Sequence, residues 1–112
     1  ITYPGSPIYA ATKAGVVGFT RALGALKHEA NINVNCICPE VVDTPPIRLG
    51  RERNRAAGIS TPHMALPAIP VELVGEAIVG LVRDDTLAGR ALKISPGLPN
   101  QLLEFPHFGV VR

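Results

Sequence analysis

Apolar residues along the first part of the chain recur at close to the 3.6-residue period of a helix. They are Val16, Phe19, Leu23 and Leu26. We predict a helix over residues 7–29. Ser6 followed by Pro7 is typical of a helix start, because a hydroxyl can cap the first turn and proline fits the first helical position. Asn31 can end the helix, since asparagine tolerates a left-handed backbone.

The pattern then alternates between strand-like and helical segments. Residues 32–38 are typical of a strand, which Pro39 stops. A second helix is predicted over residues 70–83 and a last strand at about 89–95. A helix that leads directly into an apolar strand is half of a crossover unit in a parallel sheet. The element order therefore predicts an α/β fold, with too few strands to close a sheet by itself.

Between these units, residues 46–68 are predicted to form a long loop, because prolines interrupt the segment. A connection of this length in a compact domain is usually a lid or a binding loop. Four arginines cluster here: Arg48, Arg51, Arg53 and Arg55. No aromatic residue lies among them to stack on bases, so we interpret the cluster as a solvated loop or helix end and exclude a nucleic-acid site.

Composition bounds the class of protein. The 112 residues allow one small domain, and 46% hydrophobic with 4% aromatic residues indicates an aliphatic core. A net charge of +2 does not indicate a nucleic-acid partner, and no stretch is long enough to predict a membrane span.

Cys36 and Cys38 share one face of the predicted strand about 6.6 Å apart, too far for a disulfide. Two cysteines are also too few for a structural zinc site, so we expect no metal and a reducing, cytoplasmic compartment.

Glycines interrupt the first helix at Gly15, Gly18 and Gly24. Each costs about 1 kcal/mol relative to alanine in a helix interior. We therefore expect another backbone to pack closely against this helix, within the subunit or across a subunit interface.

The candidate chemistry lies at the start of the same helix. Tyr9 and Lys13 are four residues apart, so their side chains share one face. A phenol is a poor acid or base at neutral pH, but a nearby ammonium favours the phenolate and suits it to general acid–base work. The spacing alone would equally fit a packed tyrosine beside a solvated lysine.

The surrounding sequence decides between these interpretations. The run YAATKAGVVGFTRAL from Tyr9 closely resembles the active-site helix of short-chain dehydrogenases/reductases. The following INVNCICP resembles the family's strand before its Pro-Gly turn, and EVVDTP resembles its cofactor loop. Three elements in the right order indicate this family. The segment from Leu81 to Ser95 resembles the branch that includes hydroxyprostaglandin dehydrogenase.

The resemblance implies a role for five residues. Tyr9 would exchange a proton with the substrate carbonyl or hydroxyl. Lys13 would hydrogen-bond the nicotinamide ribose of NAD or NADP. Pro39 would shape the turn beneath the nicotinamide, Val42 would present its backbone to the carboxamide, and Thr44 would bond the cofactor through its hydroxyl.

This cofactor loop, residues 39–45, departs from the pattern of the family at one position. The family usually has glycine after the proline, and this chain has Glu40. Glycine permits unusual dihedral angles or close backbone approach, which glutamate allows less readily. The geometry of this turn is therefore the least certain part of the resemblance.

The resemblance also implies what this sequence does not contain. It covers the carboxyl-terminal half of a Rossmann-type doubly wound parallel sheet. No Gly-rich phosphate motif is present, and the family's catalytic serine and asparagine would lie before Ile1. The chain also starts without methionine, so we expect a piece of a longer enzyme.

Two functions follow from these expectations. The first is an NAD(P)-dependent oxidoreductase that interconverts a small-molecule alcohol and ketone. As in the family, it would form a homodimer or homotetramer through the helices at 7–29 and 70–83. These 112 residues by themselves would be inactive. The alternative is a truncated, non-catalytic module for dimerisation or binding.

Overall fold

The computed structural model describes residues 5–106, apart from the side chain of His63. Its elements in chain order are α1 (Pro7–Ala22), a 3₁₀ turn (Leu23–Ala25), α2 (Leu26–Ala30), β1 (Cys36–Pro39), α3 (Pro45–Ala56), α4 (Pro62–Ala65), α5 (Val71–Arg83), β2 (Ala91–Ile94) and β3 (Gln101–Leu102). Strand β1 pairs in parallel with β2, and β2 pairs antiparallel with β3. The predicted α/β fold class is confirmed.

The helix expected over residues 7–29 is one helical path divided by the 3₁₀ turn. Pro7 occupies its first turn as predicted, but the Ser6 side chain makes no capping hydrogen bond, so the predicted hydroxyl cap is wrong. Asn31 ends α2 as predicted, and it does so in the left-handed conformation, with φ 55° and ψ 39°.

Residues 46–68 differ from the prediction of an unstructured loop. They contain most of α3 and all of α4. Helix α3 begins after Thr44 with Pro45 and Pro46 in its first turn, where a missing N–H costs no intrahelical bond. The prolines thus mark where helices start, as Pro62 also does for α4. The arginine cluster lies on α3, and Arg53 and Arg55 fall in its last turn.

The strands are shorter than predicted, and one was missed. Asn35 precedes β1, where its side-chain amide donates to the Leu87 carbonyl at 2.9 Å and accepts from the Arg90 N–H at 3.0 Å. These bonds replace regular strand pairing at that point. After β2 we predicted irregular chain from Pro96 onward, but β3 returns along β2, and the Leu103 N–H donates to the Ala91 carbonyl at 2.9 Å.

The core lies where α5 packs on the sheet. Ile69, Ala77 and Ile94 are buried together and contact Ile37, Val74 and Leu92. Large apolar side chains on the helices stay exposed, with Phe19 67% and Val82 77% accessible. The radius of gyration of 16.6 Å exceeds the roughly 13 Å of a compact domain of this length. The described residues therefore leave much of their helical apolar surface uncovered.

The glycine prediction for the first helix holds at one position. Gly24 packs directly against the backbone of Gly89, in the turn before β2. A Cβ at Gly15 or Gly18 would meet nothing within 4 Å among the described residues. Close backbone packing is therefore confirmed for Gly24, and the reason for the other two glycines stays a prediction.

Candidate active site

The candidate site lies at the carboxyl edge of the parallel pair β1 and β2. Gly24, after the end of α1, meets Gly89, whose N–H donates to the Val34 carbonyl at 2.7 Å just before β1. The carboxyl end of α1 is thus fixed at the amino edge of the sheet. Tyr9 lies fifteen residues earlier, or roughly 22 Å along a helix. Since the helix of a crossover unit runs back along its strands, its first turns reach the carboxyl edge.

Tyr9 and Lys13 form a contact pair in these first turns. The Lys13 ammonium nitrogen lies 5.4 Å from the centroid of the Tyr9 ring, and Tyr9 is 52% exposed. The Thr12 hydroxyl between them donates to the Tyr9 carbonyl at 2.8 Å, so it belongs to the helix and not to the reacting groups. The pair that the spacing predicted is brought together and faces outward.

Pro39 is the last residue of β1 and is half-buried opposite Ile94 of β2. The chain then crosses the carboxyl edge as the segment 40–44, which we call the edge loop. Val42 forms a parallel bridge with Ile69. Its bonds run from the Ile69 N–H to the Val41 carbonyl at 2.7 Å and from the Asp43 N–H to the Ile69 carbonyl at 2.8 Å. The N–H of Val42 itself is therefore directed away from Ile69.

Thr44 is the last residue of the edge loop and the N-cap of α3, in an extended conformation with φ −117° and ψ 156°. Its carbonyl accepts from the Arg48 N–H at 3.0 Å, but its hydroxyl makes no capping hydrogen bond. The helix start is stabilised instead by Asp43 and Arg48, whose side chains form two bonds of 2.7 and 3.0 Å. The Arg48 guanidinium lowers the pKa of the Asp43 carboxyl.

The contacts of the Glu40 side chain were not predicted from the sequence. Its carboxylate accepts from the Ser95 hydroxyl at 3.0 Å and lies 3.2 Å from the Lys93 ammonium. Lys93 and Ser95 are two residues apart at the end of β2, so they share one face of the strand. The two-residue spacing of Lys93 and Ser95 could have indicated this site, but only together with the register that places Glu40 beside the end of β2.

The arrangement supports proton transfer next to a bound ligand. The described residues contain no group of three or more His, Cys, Asp or Glu side chains that could hold a metal ion. Nor does any helix within residues 5–106 have the length and apolar character to cross a membrane. The described residues offer a phenol close to an ammonium in the first turns of α1. They also offer an edge loop in which the Val42 N–H is directed away from Ile69 and the Thr44 hydroxyl does not cap α3.

Comparison with known proteins identifies the family of the chain. The family model described as short chain dehydrogenase matches residues 1–54, which include α1, β1 and the edge loop. The chain belongs to the short-chain dehydrogenase family. The predicted family and its Rossmann-type α/β fold are thus confirmed.

Three relatives illustrate the range of this family. The chain is 36% identical over 110 residues to a protein of Streptomyces virginiae that is named as a ketoacyl reductase of the monensin polyketide synthase. The match covers 86% of this chain and 41% of the relative. It is 30% identical over 98 residues to the 15-hydroxyprostaglandin dehydrogenase of Bos taurus, whose name includes NAD(+), covering 80% and 37%. It is also 30% identical over 97 residues to the 3-oxoacyl-acyl-carrier-protein reductase of Chlamydia trachomatis, covering 85% and 39%. The chain thus spans about two fifths of the length of these relatives.

Proposed function

We propose that the complete protein is an NAD(P)-dependent oxidoreductase that interconverts a secondary alcohol and a ketone. The observation that carries the proposal is the contact between Tyr9 and Lys13 in the first turns of α1. We infer that these turns reach the carboxyl edge of the sheet, because the helix of a crossover unit runs back along its strands. In doubly wound α/β folds, ligands bind in the crevice outside this edge. Family membership adds oxidoreductase chemistry to that geometry.

Tyr9 is the proposed acid–base residue. In the oxidation direction its phenolate takes the proton from the substrate hydroxyl, and in reduction its phenol returns a proton to the developing alkoxide. The Lys13 ammonium stabilises the phenolate electrostatically. Because Tyr9 is about half exposed, a substrate oxygen can approach its hydroxyl from the solvent side.

The edge loop has groups suited to a nicotinamide cofactor. The N–H of Val42 is directed away from the bridge with Ile69, and the Thr44 hydroxyl does not cap α3, so each can serve a ligand. The donor set therefore fits the carboxamide of a nicotinamide, with Pro39 shaping the turn beneath it and Lys13 bonding the ribose. When bound, the dinucleotide supplies the hydride acceptor or donor. NAD and NADP both remain candidates.

The substrate class is a small-molecule alcohol or ketone, in line with the named activities of the relatives. The helical segment 46–68 is proposed as the lid over this substrate. Arg51 ties α3 to the chain after α4, since its guanidinium donates to the Leu66 carbonyl at 2.7 Å. The middle of α3 is thus tied to the end of α4.

The deciding experiment is Tyr9→Phe in the complete protein. We expect turnover to fall about 100-fold or more, because the proton-transferring hydroxyl is lost, while dinucleotide affinity stays within about twofold. Steady-state kinetics with panels of alcohols and ketones and both dinucleotides, combined with calorimetric binding, measure the two effects. Wild-type rates in Tyr9→Phe would refute the catalytic assignment.

A self-association surface is the second candidate function, favoured by the apolar faces of α1 and α5. Phe19 and Val82 are among their most exposed apolar side chains, and Gly15 and Gly18 leave room for a close backbone. We propose a homodimer or homotetramer through these helices in the cytoplasm. Analytical ultracentrifugation of Phe19→Glu should show smaller species than the wild type, and an unchanged sedimentation coefficient would contradict this surface.

A further inference from the structure

Glu40 joins the two parallel strands at the point where the edge loop begins. Its backbone N–H donates to the Ile94 carbonyl at 2.9 Å, which continues the ladder of β1 and β2 by one bond. Its side chain then reaches further along β2 to Ser95 and Lys93. The Glu40 and Lys93 side chains are 27% and 35% exposed, so their pair is partly shielded from solvent.

The other end of the edge loop is held by backbone bonds to Ile69, in addition to the side-chain pair of Asp43 and Arg48. Val41 and Asp43 bond to Ile69, which is completely buried in the core. The loop is therefore fixed on one side by a side-chain clamp to β2 and on the other by a bridge to the core. Val42 lies within the second attachment, between Val41 and Asp43, and two residues after the clamp of Glu40.

Glutamate occupies this turn without backbone strain. Among the described non-glycine residues only Asn31 has a positive φ, so Glu40 does not adopt a conformation reserved for glycine. A glycine here would keep the backbone path but could make neither of the side-chain contacts. The departure from the family's usual residue thus adds an attachment.

We propose that Glu40 is a positioning residue for dinucleotide binding: its clamp to Lys93 and Ser95 holds the edge loop in its binding conformation before the dinucleotide arrives. The inference rests on the proposed function. A loop that is already ordered loses less conformational freedom on binding, which strengthens affinity without any new contact to the ligand. The effect should therefore appear in dinucleotide affinity and not in the proton-transfer step.

The test uses the complete protein with Glu40→Gln, Glu40→Gly and Lys93→Met. We expect the KM and Kd for the preferred dinucleotide to rise about fivefold in Glu40→Gln and Lys93→Met, and about tenfold in Glu40→Gly. The kcat at saturating dinucleotide should stay within about twofold. The double variant Glu40→Gln/Lys93→Met should bind the dinucleotide no more weakly than the weaker-binding single variant, because both substitutions remove the same ion pair.

The matched control is Glu104→Gln. Glu104 accepts from Arg90 at 3.0 Å beside the amino end of β2, so this variant removes an ion pair of β2 at the opposite edge of the sheet, one in which the glutamate is more exposed than Glu40. It should leave the KM for dinucleotide unchanged. If Glu40→Gly does not fold, two variants are sufficient for the test. They are the near-isosteric Glu40→Gln and Lys93→Met, which leaves the sequence of the edge loop unchanged.

The outcomes separate this inference from the proposed function. A wild-type protein that uses dinucleotide, with Glu40 and Lys93 variants of unchanged KM, would overturn the inference and leave the proposed function intact. Equal KM increases in Glu104→Gln and Glu40→Gln would overturn it too, since any loss of strand pairing would then suffice. A wild-type protein that binds neither NAD nor NADP would overturn both.

Discussion

Gly24 and Gly89 meet backbone to backbone. A Cβ on Gly89 would lie 2.9 Å from the Gly24 Cα, and one on Gly24 would lie 3.3 Å from the Gly89 Cα. The 3₁₀ turn after α1 and the turn before β2 are therefore in direct backbone contact, which leaves no room for a side chain on either glycine. This contact sets the position of α1 along the sheet, and with it the place where Tyr9 emerges.

Gly89→Ala should destabilise the protein strongly. Gly89 has φ +68°, so alanine would incur both left-handed strain and a clash with backbone that cannot rotate away. We expect a loss of about 3 kcal/mol in the free energy of unfolding, measured by urea denaturation of the complete protein. Gly58→Ala is the matched control, since Gly58 has the same φ but nothing within 4 Å, and should cost only about 1 kcal/mol. Equal losses would show that the close approach is unimportant.

Lys13→Met should remove most of the activity of the complete protein. The methionine side chain keeps much of the length but lacks the ammonium that lies 5.4 Å from the Tyr9 ring centroid. We expect kcat to fall about 100-fold or more, because the phenolate loses its stabilising charge. Lys27→Met in α2 is the control and should retain wild-type kcat. Full activity in Lys13→Met would remove Lys13 from the mechanism.

Sequence reasoning predicted that Tyr9 and Lys13 lie close together because local rules determine this contact. A four-residue spacing on a helix places Tyr9 and Lys13 on one face whatever the rest of the chain does. The end of the helix at Asn31 was likewise predictable from a local rule. Helix α3 was missed because its prolines were interpreted as loop residues, although Thr44-Pro45 repeats the Ser6-Pro7 pattern at the start of α1.

The contacts of Glu40 could not be predicted because they depend on register. Glu40 and Ser95 are 55 positions apart, and their contact requires Pro39 to lie opposite Ile94. A shift of one residue would turn the β2 side chains to the other face. Strand β3 escaped prediction because it is only two residues long and its pairing with β2 comes from tertiary context.

The Asp43 carboxyl should titrate below its ordinary value of 3.8 because the Arg48 hydrogen bond and charge favour its ionised form and lower its pKa. This interaction therefore supports the start of α3 above that value and is lost as the pH falls through the lowered pKa. In Arg48→Gln the pKa of Asp43 should return toward 3.8, as measured by carboxyl NMR titration. Asp84 is the internal control, because Thr86 lowers its pKa and the variant leaves that contact unchanged. An unmoved Asp43 titration would contradict the assignment.

Cys38 should react slowly with alkylating reagents in the native protein. Burial raises the pKa of its thiol, and the neighbouring Cys36 raises it further, so little reactive thiolate is present near neutral pH. Both cysteines are free. Timed iodoacetamide labelling with mass spectrometry should show faster modification of Cys38 in urea, and somewhat faster modification in native Cys36→Ser. Identical rates in native and unfolded protein would contradict the role of burial.

The parallel pairing of β1 with β2 also has a consequence for the order of folding. Cys36 pairs with Ala91, so the chain between them must be synthesised before the two strands can meet. Helices α1, α3 and α5 contain only local hydrogen bonds and can form while the ribosome is still translating. The carboxyl edge, with Glu40 against Ser95, assembles only once β2 has left the exit tunnel, so this edge takes shape later than the three helices.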